Sequence, residues 1–450
     1  MNYDIQVGFS RVDITPPMGI DISGYFIKRI AKGVLDPLEI NTLAVKKDNA
    51  TVLLISVDTL GMSRAYIDTC KQAITEKTGI PAEAIYVHST HTHTGGRLGA
   101  GDCLTEQEKD YHKTVALQMA NGAMLAIQDL DLAKMGWAVS RAEKVAFNRR
   151  YLMKDGTTKT NPGVNNPDIV KCIGLLDERV NVVRFNRKDG KNYVLINFGN
   201  HPDCVGGDLI SADWPGFTRR IFERAVENSK CIFFNGAQGD INHVNVFPKD
   251  GDLNEMFIDF DDVARGYTHS KHIGNVMAGS AMAVYEKVKY VDVDAIKYKQ
   301  TILQIPANKP KPEEMEEARY IDKMHAEGRD AELPYKGMLL TTMVAGAMRK
   351  IRLENAPDTF PFLCSAIKIG PVAMLGMPGE PFAGVGIGIK EAQGYDMICP
   401  TCNTNAKEGY FPMKDSYDEG GYEANTSNFK SGVAEILIEE GKKILDGLRK

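Results

Sequence analysis

The sequence has few cysteines, no long apolar run and no large excess of either charge, and each of these shortages excludes a class of protein. Its 450 residues include only eight cysteines, which are scattered along the chain. We therefore expect reduced thiols rather than a disulfide framework, and we interpret the close pair Cys399 and Cys402 as buried structural residues. No run approaches the roughly 18 apolar residues that a membrane-spanning helix needs.

Neither sign of charge is in large excess. The chain carries 54 cations against 59 anions, a formal net charge of −5, which disfavours nucleic acid or an acidic membrane as the main partner. The amino-terminal stretch holds Asp4 and Asp13 and lacks the apolar core of a secretory signal. We therefore predict a cytoplasmic protein with no stable membrane anchor whose partner is a small-molecule substrate. Its oligomeric state stays open.

The order of predicted elements is that of an α/β protein. A strand from Ile5, a hairpin turning at Asp48, a helix over residues 63–78 and a strand ending at Val87 follow one another. Residues 252–289 are predicted to be mostly helical, and the chain ends on an amphipathic helix. No repeat or linker interrupts this order. We predict one compact domain, residues 1–450, with mixed β-sheets flanked by helices.

Four apolar, strand-like segments end in turns that are rich in glycine and in possible ligands. Strand ends of this kind usually carry function in α/β proteins. The four turns read HTHTG at 91–95, NFGNHP at 197–202, NGAQGDIN at 235–242 and MPGEP at 377–381.

The first of these turns belongs to a cluster of three histidines, His88, His91 and His93. In an extended segment His91 and His93 would project to the same side, because side chains repeat every two residues. Neutral imidazole is a good zinc ligand, but two histidines rarely complete a site, so further ligands must come from elsewhere in the chain. The alternative is that these are polar loop histidines that only donate and accept hydrogen bonds.

Together with the tyrosine-containing block EGYFPMKDSYDEGGYEA at 408–424, the four turns resemble the neutral/alkaline (non-lysosomal) ceramidase family. The resemblance is to the catalytic domain of that family and runs from DITPP and SGYF, near the amino terminus, to the tyrosine block. It implies an α/β fold that holds one zinc ion. The ligands that it implies are His91, His201, Glu380 and Tyr410. Two imidazoles and a carboxylate are a common catalytic zinc set, whereas a tyrosine is an unusual fourth member.

The same resemblance implies three residues that assist the reaction. His93 would hold the substrate carbonyl or carry a proton to the leaving amine, or would instead orient a metal ligand. Arg149 would bind substrate oxygens or stabilise an oxyanion, or would instead form a surface ion pair. Tyr422 would donate to the developing oxyanion, or would instead be a buried aromatic residue with a satisfied hydroxyl.

The chain departs from the family where the family reads GDVSPN. Here the segment reads GDINHV, so Asn242 replaces the family's active-site serine. An asparagine cannot be a nucleophile, so the attacking group must be a water activated by the metal, and Asn242 is left to donate hydrogen bonds to a substrate. Asp213 and Asp240 lie where the family also has aspartates. We interpret Asp240 as a loop-capping carboxylate and His243 as a polar loop residue.

Two further departures concern the substrate. The family's carboxy-terminal immunoglobulin-like domain is not expected in this chain, and the segment at about 302–360 is divergent. These features predict a zinc-dependent amidohydrolase that cleaves the N-acyl bond of a small polar substrate, with ceramide itself less favoured. One alternative is a metal-dependent glycosidase, lyase or isomerase in which Asn242 and Asp213 contact a sugar or polyol. The other is a family member that binds a ligand without catalysis.

Overall fold

A large sheet organises the fold. A computed structural model of the chain describes residues 3–98 and 104–449. Within those residues the sheet has nine strands, eight of them in the spatial order β8-β7-β6-β5-β1-β2-β3-β4, with β9 paired to β5. The strands are β1 (Ile5–Asp13), β2 (Glu39–Lys47), β3 (Ala50–Val57), β4 (Ile85–Ser89), β5 (Asp131–Arg141), β6 (Arg179–Arg187), β7 (Asn192–Phe198), β8 (Ser229–Asn235) and β9 (Lys289–Val291). The β3–β4 and β7–β8 pairs are parallel and the other pairs are antiparallel.

A second sheet packs face to face on the first. It has the order β10-β11-β12-β13, formed by β10 (Ile296–Pro306), β11 (Thr359–Ile369), β12 (Val372–Gly376) and β13 (Met397–Thr401). Alternation along the strands explains the packing. Leu43 and Val45 of β2 join the core between the sheets, whereas Ala44 between them joins the core under the helices. The side chains of this one strand therefore contribute to both hydrophobic cores.

Helices cover the outer face of each sheet. The longer ones are α1 (Arg64–Thr78), α2 (Glu106–Gln128), α3 (Asp213–Ala225), α4 (Tyr267–Tyr285), α5 (Met315–Ala326), α6 (Gly337–Leu353) and α10 (Val433–Arg449), and the short ones are α7 (Ala383–Ile389), α8 (Lys414–Glu419) and α9 (Tyr422–Thr426). Helices α1 to α4 pack on the large sheet, and α7 and α10 pack on the small one. The predicted α/β class, with mixed sheets flanked by helices, is confirmed.

Local predictions held where the residue pattern is strong. The hairpin turns at Asp48, which has a φ of 50°, and Thr105 caps α2 through a reciprocal pair of hydrogen bonds with Glu108. The prediction for residues 252–289 was wrong in part, because the helix covers only Tyr267–Tyr285 and turns and short strands precede it. Cys399 and Cys402 are buried, as interpreted. Cys103, whose thiol was also predicted to be reduced, lies outside the described residues.

The two edges of the large sheet curl towards each other, and this brings distant strand ends together. The Ser56 hydroxyl in β3 donates to the Phe233 carbonyl in β8 at 2.6 Å. The backbone N–H of Asn235 donates to Nε2 of His88 at 3.0 Å. His88 therefore joins the two edges, and the loops that follow β4, β7 and β8 meet at one place.

The described residues include no helix with the length and apolar composition that a membrane crossing requires.

Candidate metal centre

The loop after β4 places His91 in an unusual backbone conformation. The strand ends at Ser89, and His91 has a φ of 76°, in the left-handed region that non-glycine residues seldom adopt. The expectation that His91 and His93 share a face of an extended strand is therefore wrong. The two rings nevertheless lie 5.0 Å apart, because the turn, not strand alternation, brings them together.

Hydrogen bonds to the backbone orient the His91 ring. The backbone N–H of His91 donates to the carbonyl of Thr59 at 2.9 Å, and the ring Nδ1 lies 2.6 Å from the carbonyl oxygen of Leu60. A carbonyl can only accept, so Nδ1 carries the proton and Nε2 is left with a free lone pair. Nε2 has no hydrogen-bond partner and is buried. A metal ligand requires this arrangement.

His201, in the loop after β7, is held in the same way. Its Nδ1 lies 2.8 Å from the carbonyl oxygens of both Gln238 and Ile241, which again leaves Nε2 free of the proton. Burial lowers the pKa of His201 to about 4, so the ring is neutral at physiological pH. The ring therefore presents a lone pair rather than a charge.

Glu380 lies between the two histidines. Its Oε2 is 3.2 Å from Nε2 of His91 and 3.1 Å from Nε2 of His201. Burial by itself would raise the pKa of Glu380, but the two histidines outweigh it and hold that pKa well below the ordinary value. The carboxylate is therefore ionised and points at both imidazoles.

Tyr410 approaches from the neighbouring backbone segment. A short parallel bridge pairs Glu380 with Tyr410, and the Tyr410 ring lies 6.4 Å from the His201 ring at an interplanar angle of 25°. Burial raises the pKa of Tyr410 well above its ordinary value, and the charge of Glu380 adds to the rise. The phenol would need a metal ion to ionise at neutral pH.

The spacing of the donor atoms fits a tetrahedrally coordinated metal ion. Ligands bound at about 2.0 Å in a tetrahedron lie roughly 3.3 Å from one another. The separations between Glu380 and the two histidines, 3.2 and 3.1 Å, are close to this value. His91, His93 and His201 also place ring nitrogens within 4.8 Å of one another and could hold a metal ion. Glu380 and Tyr410 border the same point.

His93 differs from the other two histidines because neither of its ring nitrogens has a hydrogen-bond partner. Its Nδ1 is 3.5 Å from the carboxylate of Asp203, which Arg265 and the Tyr25 hydroxyl also contact. Burial lowers the pKa of His93 well below its ordinary value. Sequence reasoning missed Asp203, although it follows His201 by two residues in NFGNHPD.

Arg149 is buried beside the same centre, and its partner is also buried. Its Nε donates to Glu423 at 2.6 Å, and its Nη2 donates to the carbonyl of Gly239 at 2.8 Å and to the Tyr410 hydroxyl at 3.3 Å. Burial disfavours the charged form, but Glu423 outweighs it and raises the pKa of Arg149. The alternative of a surface ion pair therefore does not describe this residue. Glu423 was missed as its partner.

Tyr422 and Asn242 also lie near the centre. The Tyr422 ring lies 5.6 Å from the Tyr410 ring, edge to face. The Asn242 side chain is already engaged, since it donates to Asn161 at 2.9 Å and accepts from the N–H of Val244 at 3.0 Å. Asn242 therefore stabilises the loop, and only its second amide hydrogen is left for a substrate.

The two aspartates and His243 have local partners. The Asp213 carboxylate accepts from the N–H groups of Cys204, Val205 and Trp214 and from the Ser270 hydroxyl. These contacts leave it little capacity to contact a sugar. His243 is buried, with Nε2 at 2.8 Å from the carbonyl oxygen of Ala264. The Asp240 carboxylate accepts from Asn148 and from the N–H of Ala383, both at 2.7 Å, so it ties two loops together.

Asp240 gives the protein a testable pH dependence. Burial raises its pKa to about 6, against about 3.9 in the unfolded chain. The native state holds the proton more tightly, so the free energy of unfolding falls by roughly 3 kcal/mol as pH rises from about 4 to about 6. In urea unfolding of metal-free protein between pH 4.5 and 7.5, Asp240→Asn is expected to show a shallower fall than wild type. Equal slopes would contradict this assignment.

A cavity of about 680 Å³ is lined by residues next to the centre, although none of the candidate ligands lines it. Its wall includes Leu60, whose carbonyl contacts Nδ1 of His91, and Met348 from α6. Helix α6 belongs to the segment at about 302–360 that was predicted to differ from the family. Charged residues mix with apolar ones in the lining, among them Asp21, Lys28, Arg97, Glu108 and Lys407.

Comparison with known proteins gives a match at the level of structure. No protein-family model matches the chain, and no curated protein sequence does. The neutral ceramidase from Pseudomonas aeruginosa superimposes with a TM-score of 0.74 at 14% identity, over 99% of this chain and 74% of that one. A ceramidase complexed with C2 superimposes with a TM-score of 0.73 at 15% identity, over 99% and 75% of the two chains. The resemblance drawn from the motifs is thereby confirmed for the fold.

Proposed function

We propose that this protein is a zinc-dependent hydrolase that cleaves the N-acyl amide bond of a small polar substrate. The observation that supports it most is the convergence of the Nε2 atoms of His91 and His201 on the Glu380 carboxylate at tetrahedral spacing. His91, His201, Glu380 and Tyr410 would hold the ion. When bound, zinc lowers the pKa of a coordinated water to about 7 and polarises a carbonyl oxygen.

The surrounding residues have geometry suited to an amide hydrolase. The Arg149 guanidinium is fixed by Glu423 and by the Gly239 carbonyl, so it can donate to a developing oxyanion without reorganising. His93 is neutral and has unpartnered ring nitrogens, so it can carry a proton to the leaving amine. Tyr422, which keeps its phenolic proton because burial raises its pKa, can donate a second hydrogen bond.

The lining of the cavity favours a polar substrate over ceramide. Lys28, Arg97 and Lys407 bring three cationic side chains to a cavity of about 680 Å³. A long-chain lipid gains nothing from these charges and must exclude water from them. The fold of a ceramidase supports amide hydrolysis, whereas the substrate depends on side chains that differ between two chains of 14% identity.

Separate experiments test the bound metal ion and the type of bond that is cleaved. Purified wild type is expected to contain about one zinc per chain, and His91→Ala/His201→Ala near zero. His272→Ala/His325→Ala, which removes two histidines outside the site, should retain the ion. Equal, near-zero zinc in all three proteins would end the metal proposal.

A substrate panel tests the bond. N-acyl amino sugars, N-acyl amino alcohols, N-acyl amino acids and ceramide are compared with sugar conjugates. Release of free amine supports the proposal. A new reducing end or an unsaturated sugar would replace it with the sugar-directed alternative, and ceramide as the best substrate would overturn the preference for polar compounds.

A further inference from the structure

Lys407 is a cation of the cavity wall that the proposed reaction does not use. It precedes Tyr410 by three residues and lines the cavity together with Leu60 and Gly61. Its aliphatic stem packs directly on Gly61, where an added Cβ would collide with it. The Leu60 carbonyl contacts Nδ1 of His91, so one short stretch of backbone borders both Lys407 and a candidate ligand.

Lys407 has no carboxylate partner among the described residues. No described carboxylate forms an ion pair with it, and Glu380 is the one charged group among the described residues that affects its pKa. Burial lowers that pKa, and Glu380 only opposes the fall. In the proposed function Glu380 holds the metal ion, so its charge is engaged there. A half-buried ammonium without an anion is costly, and a ligand that supplies one recovers that cost.

The other cations of the cavity do not share this position. The Arg97 guanidinium lies 3.7 Å from the carboxylate of Asp21, which already balances its charge. Lys28 follows Phe26 and Ile27, which are 39% and 43% exposed at the outer rim. Lys407 alone among the three combines a buried stem, an unpaired amine in the described structure and proximity to Glu380.

We propose that Lys407 binds an anionic group of the substrate, so that the preferred substrates are N-acyl compounds whose amine portion carries a carboxylate or a phosphate. This inference rests on the proposed function for the position of the scissile bond. Lys407 would be a specificity-determining residue that makes a charge-assisted hydrogen bond to the substrate. Arg149 does not share this role, because Glu423 already balances its charge.

Matched pairs of compounds test this proposal. N-acetylglycine is compared with N-acetylglycinamide, and N-acetyl-O-phosphoethanolamine with N-acetylethanolamine, as substrates of the zinc-loaded protein. Wild type should favour the anion in at least one pair, mainly through KM. In Lys407→Met this preference should fall by about 10- to 100-fold, as expected for a lost hydrogen bond between charged groups. Lys430→Met, which removes an exposed lysine outside the cavity lining, should retain it. The pair that responds identifies carboxylate or phosphate.

Calorimetric binding of the same compounds separates the two proposals. If no compound releases amine but an anion binds in wild type and not in Lys407→Met, the anion site stands and the proposed reaction fails. If amine is released and Lys407→Met affects charged and neutral compounds equally, the reaction stands and the anion site is wrong. Absence of Lys407-dependent binding by both anions would also overturn it.

Discussion

Glu380→Gln is expected to remove zinc binding and to lower amide hydrolysis by about 10³-fold or more, because without the ion the water pKa returns from about 7 towards 15.7. The substitution preserves the shape of the side chain and replaces one acceptor oxygen by an amide donor. The glutamine amide can donate to the free Nε2 of His91 or His201, which the Glu380 oxygen now faces at 3.2 and 3.1 Å. The metal-free variant should therefore be nearly as stable as metal-free wild type.

Zinc-dependent stabilisation measures this prediction without reference to any substrate. At a thousandfold excess over Kd, zinc should stabilise wild type by about 4 kcal/mol and should stabilise Glu380→Gln far less. Glu408→Gln is the matched control, since Glu408 lies in the loop that precedes Tyr410, is half-buried and has no partner in the centre. A full zinc response in Glu380→Gln would mean that His91, His93 and His201 hold the ion without the carboxylate.

The fold was predictable where short-range patterns determine the structure. Two β-rich runs and the turn at Asp48 between them define a hairpin, and Thr105 with Glu108 defines the start of α2. The patterns failed for residues 252–266, where Phe257 and Ile258 are more than half exposed. Spacing of apolar residues indicates a helix only when those residues become buried.

The candidate ligands were proposed from the family resemblance of their motifs, but the contacts around them could not be predicted. Glu423 and Arg149 are 274 residues apart, and in the sequence both look like ordinary charged surface residues. Asp203 meets Arg265 and Tyr25 only because separate loops converge on it. A buried charge is recognised by its partner, and the partner becomes evident only when the chain is folded.

The backbone conformation of His91 is another feature that the sequence alone did not reveal. In an extended segment His91 and His93 would lie on one face. Here the left-handed turn at His91, with a φ of 76°, brings the two rings together instead. That conformation persists because the carbonyls of Thr59 and Leu60 hold the backbone N–H and the ring of the residue. Residues far along the chain therefore stabilise a conformation that the local sequence does not favour.

Arg149→Met is expected to have two separable consequences. The loss of one oxyanion donor should lower kcat by about 10²- to 10³-fold. The loss of the ion pair should also destabilise the fold by about 3–5 kcal/mol, because Glu423 would stay buried without its cation. Kinetics and urea unfolding on the same preparations measure the two effects.

The double variant Arg149→Met/Glu423→Gln separates catalysis from folding. It removes both charges, and the Thr160 hydroxyl, now 3.0 Å from Glu423, can still bond the glutamine, so most of the lost stability should return while kcat stays low. Arg150→Met is the control, since Arg150 is equally buried but contacts Ser416 and the Gly420 carbonyl instead. It should lose stability and retain kcat. If the double variant recovers kcat together with stability, Arg149 acts on the fold and has no part in stabilising the oxyanion.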